Sequence, residues 1–279
     1  MPTLPFLQID AFADRLYEGN PAAVVFHRDP LPDDVMLAIA AENNLSETAF
    51  VQLGGGSPVL PLRWFTPATE VTLCGHATLA AGAAVLDRWR IAMGGPHAAG
   101  DPDVARFSTL SGELVVRRDG DRLAMDLPLV PPGDAPLPAE IIEALGVPVV
   151  DGCSIRALHH ADYWLARVAD EATVRAAKPD IRRLGALRSN VIVTAEGDGD
   201  LDFVSRFFAP GSGVDEDPVT GSAHCTLAPY WAARLGKNPL DAAQIGPRGG
   251  SLQVEVSGDR VILRGRALTV ITGEIAVPG

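Results

Sequence analysis

Only three cysteines, Cys74, Cys153 and Cys225, stand in 279 residues, and no two of them form a Cys-x-x-Cys pair. Such a set builds neither a disulfide framework nor a zinc ribbon, and it predicts a reduced, cytoplasmic setting. Basic residues are also scarce: 23 Lys and Arg against 35 Asp and Glu leave a net charge of −12. A nucleic-acid partner is excluded on that ground, since phosphate binding needs a basic face. No run reaches the ~20 apolar residues of a membrane span, the longest candidate being Ala77 to Leu86. The opening MPTLPFLQID has no basic segment leading into an apolar one, so no secretory leader is read. The glycine clusters Gly54-Gly55-Gly56 and Gly94-Gly95 lack a G-x-G-x-x-G or Lys-Ser/Thr context, and no nucleotide site is argued.

What is present is an ordinary globular composition, 47% hydrophobic and 21% charged, in a chain long enough for one large domain or two. The chain is also written twice. NLSETAFVQL around Ser46 returns as LRSNVIVTAE around Ser189, 143 residues later. Arg63-Trp64-Phe65-Thr66-Pro67 returns as Arg206-Phe207-Phe208-Ala209-Pro210, again at 143. Gly75-His76-Ala77 and Gly221-Ser222-Ala223 open apolar runs 146 apart, and Gly120-Asp121-Arg122 matches Gly258-Asp259-Arg260 at 138. Four matches in one order at nearly constant offset mark a duplicated unit of about half the chain.

Each unit follows one grammar. A helix over Pro32 to Asn43 stops at Asn43-Asn44. An alternating strand over Ser46 to Leu53 follows, then an extended Arg-Trp-Phe segment. An Ala-rich helix from Gly75 to Trp89, apolar all round, is predicted to be buried. The unit closes on a hairpin at Asp119-Gly120, as the second does at Ser257-Gly258-Asp259. The reading is an α+β protein of two pseudo-symmetric lobes, each a strongly curved sheet around a central buried helix. The lobes are 1–128 and 129–266, with Pro128 to Pro138 as a linker and 267–279 returning to the first lobe.

Two places offer chemistry. Glu47 shares a strand face with Ala49, Val51 and Leu53, a setting that moves a carboxyl toward the working pH of a general base. Its counterpart in the repeat is Asn190, so one lobe has kept the acid. The helix starts at Gly75-His76 and Gly221-Ser222 offer free N–H groups and a positive dipole end to a carboxylate. His76 reads as a donor or proton shuttle, since no His or Cys at metal-ligand spacing accompanies it. In GVDEDPVTGSAH, Asp215 and Glu216 read as charges near a helix start and Asp217 as an acid facing the helix mouth. Cys225 lies inside the second helix and reads as core, and His159-His160 as lobe structure.

The segments GNPAAVV (Gly19–Val25), NLSETAFV (Asn44–Val51), FTPATEVTLCGHATLAA (Phe65–Ala81) and EDPVTGSAH (Glu216–His224) resemble the phenazine-biosynthesis PhzF-like isomerase family. The similarity spans the chain and weakens over 90–106 and 130–185. It implies a diaminopimelate-epimerase-type fold, a site in the cleft between lobes, a homodimer, and catalysis without cofactor or metal. Residue by residue, it implies Glu47 as the catalytic glutamate, with His76, Asp217 and Ser222 as the supporting histidine, aspartate and serine; Ser222 joins Gly75 and Gly221, read from the helix starts, as substrate-binding.

The leading expectation is therefore an isomerase that moves a proton between carbons of a small carboxylate. The alternative within this fold is a two-thiol epimerase or racemase, which needs one cysteine at each helix mouth. Cys74 adjoins the first mouth, whereas the second has Asp217, with Cys225 a turn inside the helix. A non-catalytic binding protein or scaffold is the third reading, and the intact set Glu47, His76 and Asp217 opposes it.

Overall fold

A computed structural model of the chain describes residues 1–54, 57–87, 103–156 and 161–278. They form two compact units, Met1–Asp126 with Arg264–Gly279, and Leu127–Leu263.

In the first unit β1 (Thr3–Ala11) pairs antiparallel with β2 (Asn20–His27). The next strand, β3 (Glu47–Gln52), runs parallel to β2, and the crossover a parallel pair requires is α1 (Asp33–Asn43). That helix stops on Asn44, which takes the left-handed conformation at φ 50°, as the Asn-Asn signal predicts. Antiparallel to β3 lies β4 (Val59–Phe65), to which the short β5 (Glu70–Val71) adds. Helix α1 packs Met36 and Ile39 onto Phe50 and Phe65. Strand β3 is buried from Thr48 to Val51, as is usual for one with a parallel neighbour.

Helix α2 (Gly75–Leu86) is buried at every position from His76 to Leu86. It packs against β1, β2 and β3, and against β6 (Val104–Thr109) and β7 (Gly112–Asp119). Gly82 sets how closely it approaches β7: a Cβ there would sit 2.5 Å from the Val116 side chain. The last turn expected of this helix, to Trp89, lies outside the described residues, as do His159 and His160. The hairpin from β7 into β8 (Arg122–Pro128) turns on Gly120 at φ +63°.

The expected linker over Pro128 to Pro138 is instead partly a strand, β9 (Pro132–Pro136), paired antiparallel with β10 (Asp151–Ile155). Proline is tolerated there because the pairing is sparse and irregular. Between these strands lies α3 (Ala139–Leu145). The first unit's pattern then recurs. Strand β11 (Asp162–Arg167) runs parallel to β12 (Ser189–Glu196), with α4 (Glu171–Ala176) and α5 (Ile181–Ala186) in the crossover. Strand β13 (Phe203–Ala209) pairs antiparallel with β12, and β14 (Val214–Asp217) with β13. Helix α6 (Gly221–Leu235) is the buried helix of this unit. It is followed by β15 (Leu240–Gln244), β16 (Gly250–Ser257) and β17 (Arg260–Gly265), with Gly258 at φ +61° turning the last pair.

The duplication holds at the level of ladder register. Thr48 faces Phe65 and Ala49 faces Trp64; their counterparts 143 residues on, Val191 and Ile192, face Phe208 and Phe207. The final strand, β18 (Ala267–Ala276), pairs with β1 along its length from Thr3↔Ala276 to Ala11↔Ala267.

Candidate active site

Glu47 is the first residue of β3, and His76 the second of α2. Their side chains meet, with Nε2 of His76 3.2 Å from Oε2 of Glu47. The distance is that of an ion pair, but the N–H does not point along it, and neither atom has a well-formed hydrogen bond. Two buried polar atoms facing each other off-line form a pair that a substrate atom could complete. His76 is 5% exposed. Burial opposes its charge, while contact with the Cys74 sulfur and with the Glu47 carboxylate acts the other way and raises its pKa, in full only where the sulfur is itself ionised.

Cys74, the residue before α2, does more than adjoin the mouth. Its sulfur lies 3.5 Å from Nδ1 of His76, so the histidine does have a cysteine partner, two residues away. Sγ, a ring nitrogen and a carboxylate oxygen of Glu47 fall within 4.8 Å of one another. The thiol lies nearest Nδ1 and the carboxylate nearest Nε2, so His76 contacts both groups. Burial first, and then the Glu47 charge, push the Cys74 thiol up to about 11, so it is protonated at neutral pH.

The second unit builds its mouth from different chemistry. Asp217 ends β14 and Thr220 precedes α6, the position matching Cys74. The Thr220 hydroxyl donates to Oδ2 of Asp217. Gln244, the last residue of β15 and buried, accepts from the Thr220 N–H at 3.0 Å and donates to the Thr220 oxygen at 3.2 Å. The carbonyl of Thr220 accepts from Nδ1 of His224 at 2.8 Å, as that of Cys74 accepts from Thr78 at 2.5 Å. Neither Cys74 nor Thr220 caps its helix with its own side chain. The first N–H groups of α2, at Gly75 and His76, and of α6, at Gly221 and Ser222, thus keep their capacity for an anion.

The acids before α6 do not cap it either, contrary to their reading as charges near a helix start. Glu216 takes a two-pronged grip from Arg206, Nε to Oε1 at 2.7 Å and Nη2 to Oε2 at 2.8 Å. Only Asp215 is exposed. The pairing is itself duplicated: Arg63 grips Glu70 with two bonds of 2.7 Å at the matching place in the first unit. Each arginine also lies over a phenylalanine, Phe65 at 5.1 Å and Phe208 at 4.8 Å. Sequence reasoning missed Thr220 and Gln244 altogether. The Thr-Gly-Ser turn was a signal for the first, but nothing in AAQIG marks the second.

Residues 9–273 match the family described as phenazine biosynthesis-like protein. An uncharacterized isomerase of Pseudomonas aeruginosa is 46% identical over 273 residues, covering 98% of each chain. The chain belongs to the phenazine biosynthesis-like family. A PhzF-family crystal structure from Enterococcus faecalis superposes at a TM-score of 0.88 with 40% identity, over 99% of this chain and 100% of that one. A hydroxyproline epimerase from Agrobacterium vitis shares the fold at a TM-score of 0.58 and 13% identity, over 98% of this chain and 92% of that one. The protein is thus an isomerase of the PhzF type, on an α+β fold common to epimerases. Among the described residues no helix is long and apolar enough to cross a membrane.

Proposed function

We propose that this PhzF-family isomerase moves a proton between two carbons of a small carboxylate substrate, with Glu47 as the base that takes the proton and returns it. The contact between Glu47 and His76 carries this reading. A carboxylate at a strand's open end, partly buried and with one oxygen against a buried histidine of raised pKa, has the setting of a reversible carbon base. As Glu47 takes the proton, the C–H electron pair moves into the conjugated system of the substrate. The same proton then goes to the other carbon, so no oxidant, reductant or co-substrate is consumed. His76 stabilises the ionised Glu47 before proton transfer. Each helix start, Gly75 and His76 on α2 and Gly221 and Ser222 on α6, offers N–H groups suited to a substrate carboxylate or to the charge that develops as the proton leaves. Asp217 is the second acid–base group.

A two-thiol epimerase has less support. The residue matching Cys74 is Thr220, and Cys225 is buried, with its pKa pushed by burial up to about 12.

The test is deuterium uptake from heavy water into carboxylates, a dihydro-hydroxyanthranilate first among them, by the native protein and by Glu47→Gln. Native protein should label the substrate carbon, and the folded Glu47→Gln variant should not. Labelling by Glu47→Gln at the native rate would remove Glu47 from the mechanism.

A further inference from the structure

The hydrogen bonds around Thr220 have a direction that can be read without knowing any proton position. The Thr220 N–H donates to the side-chain oxygen of Gln244 at 3.0 Å, which fixes which end of the amide is oxygen. The other end, Nε2, then has two N–H groups and no lone pair. One donates to the backbone carbonyl of Asp217 and the other to the hydroxyl oxygen of Thr220, at 3.2 Å. The hydroxyl proton of Thr220 cannot return to Gln244, which offers it no acceptor. It goes to Oδ2 of Asp217. A proton on Oδ2 would leave the hydroxyl proton without an acceptor at a position 7% exposed.

We propose that Gln244 and Thr220 are positioning residues that assign the two oxygens of Asp217: Oδ2 is a fixed acceptor, and any proton that Asp217 gives or takes is carried on Oδ1. The inference rests on the reading of Asp217 as a working acid–base group. Gln244 suits the role because it is rigidly placed. It is 1% exposed, paired in register with Ser205 of β13 on one side and Gly250 of β16 on the other. Asp217 is held through its own backbone as well, since β14 pairs Asp217 with Phe207 and Gln244 grips its carbonyl. The chain of donors therefore fixes both where the carboxyl sits and which oxygen faces the reaction. Among the described residues the first unit shows no equivalent directed chain: the residue matching Thr220, Cys74, contacts His76 through its sulfur.

The experiment is carbon-13 NMR of aspartate carboxyls, with the Asp217 signal identified by its loss in Asp217→Asn. A hydroxyl proton shared with Oδ2 shifts that carboxyl resonance when water is exchanged for heavy water. Native protein and Thr220→Ser should show the shift, and Thr220→Val should lose it. Gln244→Glu should lose it too, because the new carboxylate competes for the Thr220 proton. Turnover should follow the same order, with kcat of Thr220→Val down roughly tenfold, the scale of a lost orienting contact, and KM little changed. In an Asp217→Asn background neither substitution should reduce kcat further. An isotope shift identical in native protein and Thr220→Val overturns the assignment, as does one retained in Gln244→Glu. If Gln244→Glu does not fold, the Thr220→Ser and Thr220→Val pair decides alone. Full turnover in Asp217→Asn with a normal isotope shift in the native protein would instead reject the acid–base role of Asp217.

Discussion

At the scale of single residues, the two buried thiols and two of the buried histidines, His76 and His224, divide the chemistry between them. Cys74 and Cys225 are held protonated by burial, with pKa values near 11 and 12. A thiolate is the reactive species. Iodoacetamide at pH 7.5 should therefore leave turnover unchanged over the time that labels an exposed thiol. A Cys74→Ala, Cys225→Ala double variant that folds should keep activity; complete loss in it would favour thiol chemistry. His76 is raised, whereas His224 is lowered by burial to about 4 despite its bond to the Thr220 carbonyl. The lowered group makes stability depend on pH. The unfolded chain takes up this proton near 6.5 and the folded chain only near 4. The stabilisation is complete above pH 6.5 and is lost as pH falls from 6.5 to 4, by about 3 kcal/mol. Urea unfolding at several pH values should show that slope, and His224→Gln should flatten it by one proton. A slope unchanged in His224→Gln would show that other groups cause it. Glu47 and His76 are legible in the sequence because each sits beside a structural signal, a strand start or a Gly-opened helix. Gln244 is not legible, because its role is made by bonds to residues 24 and 27 positions away.

At the scale of elements, the duplicated arginine clamp gives an internally controlled comparison. Arg206 and Glu216 are 11% and 18% exposed, and Nη1 of Arg206 also bonds the carbonyl of Ala177 at 2.7 Å, just beyond α4. Arg63 and Glu70 make the same two-pronged bond at 35% and 25% exposure. Solvent screens a pair toward the ~1 kcal/mol or less of an exposed one, and withdrawing it from solvent moves the cost of losing one partner toward ~3 kcal/mol. Glu216→Gln should therefore destabilise the protein more than Glu70→Gln in denaturant unfolding. Equal losses would mean that solvent screens both pairs alike. The clamp follows from matching Arg63 with Arg206, but its acidic half was hidden, since Glu216 sits in a run of three acids with one apparent purpose. The long periodic elements, α1, α2 and α6, are readable from their apolar spacing and their stops. Helices α3, α4 and α5 have six or seven residues each, too few turns to establish a period. Their apolar side chains, among them Ile141, Val174 and Leu184, cover one face of β12, and that face reads as ordinary strand sequence.

At the scale of the whole molecule, the two units are unequal in how the chain builds them. The second is one continuous stretch, Leu127–Leu263, while the first is Met1–Asp126 completed by Arg264–Gly279. The completing piece is structural: β18 pairs with nine residues of β1, and the Val277 N–H bonds the Pro2 carbonyl at 3.0 Å. Val277 is also buried against Met36, Ile39 and Phe50, in the core under α1. A chain ending after Leu263 should thus leave β1 with an unpaired edge and open that core, and it should aggregate or fail to fold its first unit. The same geometry predicts that order along the chain can change if pairing is kept. Thr3 and Ala276 are ladder partners, so a short glycine linker can join the two ends, and Pro131 is exposed in the connection between β8 and β9. A permutant opened before Pro131 would join the two pieces of the first unit, with β18 leading into β1 across the linker, and would leave only Leu127–Val130 of the second unit at the far end of the chain. It loses no ladder described for either unit, and β18 and β1 become a hairpin, a more local contact than one spanning the chain. It should fold to a melting temperature within a few degrees of the native protein, retain turnover, and refold faster. A permutant that folds yet refolds more slowly would show that the native order of synthesis, rather than the closeness of β1 and β18, sets the pace.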